Sequence, residues 1–143
     1  MPVYLVDNLI EGMREPDVIA ALGRSKQQFH VVYETSLPQG DARPPYSEKT
    51  ISTTGVNCFG QPSDVSLSFY QAELREVTCY PKDVGAMVDA LIRTGAVAEG
   101  RRDFSITRNG VAIRGSETDG RWGVTFTSVR LTEDQRRWVA KYS

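Results

Sequence analysis

Two adjacent residues, Asn109-Gly110, constrain the fold of this chain more than any others. They stand between FSITR (104–108) and VAIRG (111–115). Asn and Gly both tolerate the positive φ of a two-residue hairpin turn, so the pair dictates antiparallel strands on either side. The same reading extends through the chain. DVSLSFY (64–70) alternates, with Val65, Leu67 and Phe69 on one face and Ser66 and Ser68 on the other. FHVVYETSL (29–37), EKTISTTGVNC (48–58) and LREVTCY (74–80) read as its neighbours, with Gly55 as a candidate bulge. PQGDARPPY (38–46) is a loop, because its prolines cannot donate to a ladder. After a turn at Thr118-Asp119-Gly120, RWGVTFTSVRL (121–131) is the last strand.

Helices complete the pattern. Val84, Met87, Val88, Leu91 and Ile92 recur at helical spacing and form one apolar stripe, ended by Thr94-Gly95. Pro16 suits a first helical turn, Glu15 and Asp17 favour its positive end, and Gly23 suits its C-terminus. Leu5, Leu9 and Ile10 suggest a short helix before it, ending at Gly12. Thr132 and Gln135 read as the capping box of a final helix. The predicted order is therefore ααββββ–αβββα. This is an α+β fold of two short N-terminal helices on an antiparallel meander, then a helix, a three-strand meander and a C-terminal helix. The chain of 143 residues is read as a single domain, with 81–143 as an extension of the first sheet or a divergent second repeat. The absence of a second Gly-Met pair of the kind at Gly12-Met13 favours the extension.

Several function classes find no support. No apolar run approaches the ~20 residues of a membrane span. No P-loop, no nucleophile elbow and no C-x-x-C occurs. One His and two Cys do not make a zinc set, so no metal or cofactor is expected. The single histidine, His30, reads as a strand residue; a catalytic role would need Tyr33 or Glu34 beside it, and no catalytic residue is assigned. Charge is uneven: residues 1–92 carry 7 Lys/Arg against 12 Asp/Glu, and residues 93–143 carry 10 against 6. Solvated surface explains this; the sharper alternative is a basic face for an acidic partner, a lipid headgroup or a phosphate. No basic block has interleaved aromatics, so nucleic acid is not an expected partner.

The stretch Gly12 to Gly23 fits G-M-x-x-x-x-V-x-x-x-L-G and is followed by DVSLSFYQAELREVTCYP. Over residues 5–80 this combination resembles the BamE (SmpA/OmlA) lipoprotein family and its β-lactamase-inhibitor-like relatives. Gly12, Met13, Val18, Leu22, Gly23, Phe69, Leu74 and Val77 occupy the family's positions. Arg14 departs from it, since the family places a Ser or Thr cap there. The resemblance implies two helices laid on a sheet, a protein partner and a bacterial envelope location, with the cytoplasm as the alternative. No lipidation cysteine stands at the N-terminus.

Cys58 and Cys79 end the second and fourth strands of the expected meander, at one end of the sheet. They form either one disulfide, adding ~3 kcal/mol, or two buried free thiols. The disulfide is favoured slightly, because modules of the resembled family are usually exported. Loops 38–46 and 57–63 are the expected partner surfaces, with Asp41, Arg43, Tyr46 and Phe59 as contact residues. The expected function is non-enzymatic protein binding in the cell envelope. An immunity or inhibitor protein that occludes a toxin or enzyme with these two loops is the alternative. The sequence does not fix the oligomeric state.

Overall fold

The computed structural model describes residues 1–143. Its first segment corrects the predicted order. Tyr4–Val6 (β1) and Leu9–Ile10 (β2) form a small antiparallel hairpin where a helix was expected. Asp7-Asn8 is the two-residue turn, and Asp7 takes φ 50°. The reason is local. Tyr4, Val6 and Ile10 favour extended backbone, and Asp-Asn tolerates the left-handed region that a tight hairpin requires. Leu5, Val6 and Leu9 are all buried, so the apolar spacing marked a real core contact on the wrong element.

One short helix follows, α1 (Glu15–Ala21), with Pro16 in its first turn and Gly23 at φ 66° just beyond it. Arg14 is its N-cap and supplies no side-chain cap, because a guanidinium has no acceptor for a helical amide. After a single 3-10 turn at Lys26–Gln28 come four strands. These are β3 (His30–Ser36), β4 (Ser47–Cys58), β5 (Gln61–Tyr70) and β6 (Glu73–Pro81). Helix α2 (Val84–Arg93) is capped by the Asp83 carboxylate, which accepts from the Ala86 amide. The chain ends with β7 (Phe104–Arg108), β8 (Val111–Thr118), β9 (Arg121–Ser128) and α3 (Val129–Tyr142). Helix α3 starts three residues before the predicted capping box. The Ser128 hydroxyl accepts from the Leu131 amide and caps the helix, while Thr132 is free to meet Arg75.

All seven long strands lie in one antiparallel sheet of order β3-β4-β5-β6-β9-β8-β7. The two meanders meet where β6 pairs with β9 from Glu76↔Thr127 to Cys79↔Val124. The fold is α+β and strand-rich. No helix is long and apolar enough to cross a membrane.

The two faces of the sheet differ in chemistry. The inner face presents Ile51, Leu67, Leu74, Val77, Val124 and Phe126, all 1% exposed or less. The β1–β2 hairpin, Val18 of α1 and Met87, Val88 and Leu91 of α2 cover it. Truncating any of these to Ala would cost about 2–5 kcal/mol. The outer face is hydroxylated from edge to edge. Strand register aligns His30, Ser52, Ser66, Thr78, Thr125, Arg114 and Ser105 in one cross-sheet row. The next row runs Tyr33, Thr50, Ser68, Glu76, Thr127, Ala112 and Thr107. Hydroxyl pairs bridge strands within these rows, Thr50–Ser68 at 3.0 Å and Thr78–Thr125 at 3.1 Å.

Candidate functional site

The loop of residues 38–46 folds down onto α3. Tyr46 is half-buried: its ring lies 4.5 Å from Trp138 and 5.6 Å from Tyr70, and the Gln135 amide donates to its hydroxyl at 2.9 Å. Burial pushes the phenols of both Tyr46 and Tyr70 above their ordinary range. Asp41 and Arg43 clasp each other. Arg43 donates through Nε at 3.0 Å, Nη2 at 2.9 Å and its backbone N–H at 2.9 Å. The Arg43 guanidinium holds the half-buried Asp41 carboxyl down at about 2, from an ordinary 3.8. The same guanidinium lies 5.9 Å from the centre of the Trp138 ring and reaches the Tyr142 carbonyl at 3.4 Å. Asp41, Arg43, Tyr46 and α3 therefore form one aromatic and ionic cluster that fastens the loop down.

Phe59 is placed elsewhere. The expected loop 57–63 is instead a tight hairpin, with only Phe59-Gly60 between β4 and β5, and it lies at the opposite end of the 12-residue β4 from loop 38–46. The β4 register slips between Thr53 and Val56, at Gly55 with φ 69°, and the β4–β5 hairpin tips over the inner face. Phe59 then packs against Phe126 with ring centres 5.5 Å apart, and its amide donates to the Asp7 carboxylate at 3.1 Å. The four expected contact residues thus divide into a cluster at α3 and one residue at the rim of the core.

The same tipped hairpin brings Cys58 onto Cys79. Both side chains are buried, and the two sulfurs stand 2.9 Å apart as free thiols. The adjacent Cys58 sulfur and burial together raise the Cys79 thiol well above its ordinary range. A cavity of about 260 Å³ lies beside the pair, lined by Leu9, Leu22, Val56, Cys58, Val65 and Val77, with Arg24 at its mouth. Arg24 donates to the Gly55 carbonyl at 2.8 Å and pins the bulge.

His30 is exposed at the sheet edge. A register shift at Val32 leaves His30 and Tyr33 opposite Ser52 and Thr50 on the outer face, while Glu34 pairs with Lys49 on the inner side. His30 and Glu34 therefore do not converge. No group of three or more His, Cys, Asp or Glu side chains gathers where a metal could sit.

The feature that sequence reasoning missed is the edge itself. Strand β3 has a neighbour on one side only, and Val31, Val32 and Tyr33 are 57%, 63% and 52% exposed. Three consecutive large apolar residues on an open edge are a template for another strand. The signal was present in HVVYETS: it has no strict alternation, so no face of it was destined for a core. Compared with protein-family models and with curated proteins, the chain matches none.

Proposed function

We propose that the protein is a non-enzymatic protein-binding module, which captures an extended segment of a partner protein along the β3 edge. The observation that carries this reading is the exposure of Val31, Val32 and Tyr33 on an unpaired strand. Strand addition satisfies the free backbone groups of the edge, and the side chains on the two faces supply selectivity. A partner strand laid there would meet Val31 on one face and Tyr33 with His30 on the other.

The expected setting is an oxidising compartment such as a bacterial cell envelope, in keeping with the resemblance to BamE-like modules and with the facing cysteines. Thiols this close need little movement to close into a disulfide, and envelope compartments sustain such bonds.

Pull-down from the native host tests the binding reading, comparing wild type with the double variant Val31→Lys and Tyr33→Lys. A protein recovered by the wild type and lost with the variant supports capture at the edge. Equal recovery by both removes β3 from the interface. The compartment is tested separately, by alkylating host-purified protein in denaturant without reductant. Two modified thiols would refute the oxidising setting.

A further inference from the structure

A groove of about 670 Å³ runs between the first turns of α3 and the outer face of β6, β9 and β8. This is the size of a small-molecule site, yet its lining is polar, with Ala112, Ile113 and Val129 the apolar exceptions. Its charges do not balance. The two carboxylates in it are already engaged. Glu76 accepts from the Thr127 hydroxyl at 2.9 Å and lies 3.9 Å from Arg75, and Glu133 lies 3.5 Å from Arg137. Arg114 and Arg136 line the same groove, and their side chains have neither an ion pair nor a hydrogen bond. Arg75, at the groove's inner side, is only 18% exposed and donates to the Thr132 hydroxyl at 3.2 Å. Arg75 is thus committed to Glu76 and Thr132, which leaves Arg114 and Arg136 as the two unassigned cations of the groove.

Hydroxyls complete the lining. Thr125 and Thr127 are spent on Thr78 and Glu76, but Ser105, Ser116 and Thr118 make no side-chain hydrogen bond within the protein. No aromatic ring lines the groove, so it offers no platform for a nucleic-acid base. Its polarity rejects an acyl chain or an apolar peptide. What remains is a solute with a hydroxylated body and an anionic group suited to the planar fork of arginine.

We propose that this groove binds a small hydroxylated solute bearing an oxyanion, with Arg114 and Arg136 as the partners of the anionic group. The volume exceeds that of a bare phosphate, and the free hydroxyls are placed for the remainder of the molecule. This site is separated from the β3 edge by β4 and β5, so it stands or falls independently of partner capture there.

The test is titration of the whole protein with glucose 6-phosphate, gluconate and glucose, read by calorimetry and by amide shifts of Arg114, Thr125 and Ser116. The two anions distinguish a phosphoryl from a carboxylate group, and glucose is the neutral control. Binding of either anion, weakened by added salt and about tenfold by Arg114→Gln or Arg136→Gln, supports the site. Both arginines are exposed and unpartnered, so these variants retain the fold, which circular dichroism verifies. Arg93→Gln, which removes an exposed arginine of α2 that neither lines the groove nor pairs with a residue lining it, is expected to leave the affinity unchanged. No shift at millimolar anion, an unchanged affinity when Arg114→Gln and Arg136→Gln are combined, equal shifts with glucose, or an equal loss with Arg93→Gln would each overturn the proposal.

Discussion

The two edges of the seven-stranded sheet are built on opposite plans. At one end, β7 has five residues and is wrapped in its own contacts. The Phe104 ring lies on Gly115, where an added Cβ would come within 2.5 Å of a ring carbon and 2.7 Å of the Arg102 carbonyl. That carbonyl accepts from the Trp122 indole N–H at 2.8 Å, and Arg108 reaches back to the Gly95 carbonyl. Arg101, Arg102, Asp103 and Arg108 surround the strand with charge. At the other end, β3 carries Val31, Val32 and Tyr33 into solvent without a lysine, a proline or a covering helix, and only the bulge at Val32 and the single charge of Glu34 interrupt its edge. Edge strands are ordinarily blunted, and β7 shows that this chain has the means. The strand capture proposed above rests on this difference in exposure between the two edges.

The contrast can be broken from the β7 side first. Gly115→Ala forces the added methyl into Phe104 and the Arg102 backbone, and the expected cost is about 2–3 kcal/mol in chemical denaturation. A loss below ~0.5 kcal/mol would mean that the β7 cover is loose and the two edges are alike. Trp122→Phe removes the donor to the Arg102 carbonyl and should cost about 1–2 kcal/mol, with faster amide exchange along β7. Exchange unchanged from wild type would show that this bond does not hold the edge. On the β3 side the expectation reverses. Val31→Lys and Val32→Lys change exposed residues, so stability should stay within ~0.5 kcal/mol. A loss comparable to that of Gly115→Ala would show that β3 is packed and not waiting for a strand.

Much of this architecture was legible. The hairpin at Asn109-Gly110, the bulge at Gly55, the α2 stripe and the approach of Cys58 to Cys79 all follow from turn chemistry and period, which act locally. The N-terminal helix was misread because Leu5, Leu9 and Ile10 suit either period over so few residues. Asp7-Asn8, a hairpin turn, was the decisive signal. The α3 start was misplaced because Ser128 and Thr132 are both credible caps, and a tertiary partner, Arg75, claimed the second. The candidate surfaces were least legible. Asp41, Arg43 and Tyr46 were legible as residues of a loop, but their ties to Trp138 and Gln135, some 90 residues away, carry no local signal. The groove needed three arginines from β6, β8 and α3, which no local pattern connects.

The smallest expected effect concerns the loop that leads away from β3. The Leu37 amide donates to the Tyr46 carbonyl at 3.1 Å, so the loop closes the open end of the strand, and Asp41 with Arg43 holds the loop on α3. The Asp41 carboxyl sits at about 2 because Arg43 stabilises its charged form. A depressed carboxyl contributes stability above its unfolded value of 3.8 and loses it as pH falls through about 2. The pair is at the surface, where Arg43 is 42% exposed, so solvent screening keeps the contribution local and global unfolding should barely register it. The measurement is a carboxyl carbon NMR titration of Asp41 in wild type and in Arg43→Gln. The midpoint should rise towards 3.8 in the variant, and the Leu37 amide should exchange faster only below pH 4. An identical midpoint in both proteins would show that Arg43 does not clasp Asp41, and that loop 38–46 is as free as the edge it follows.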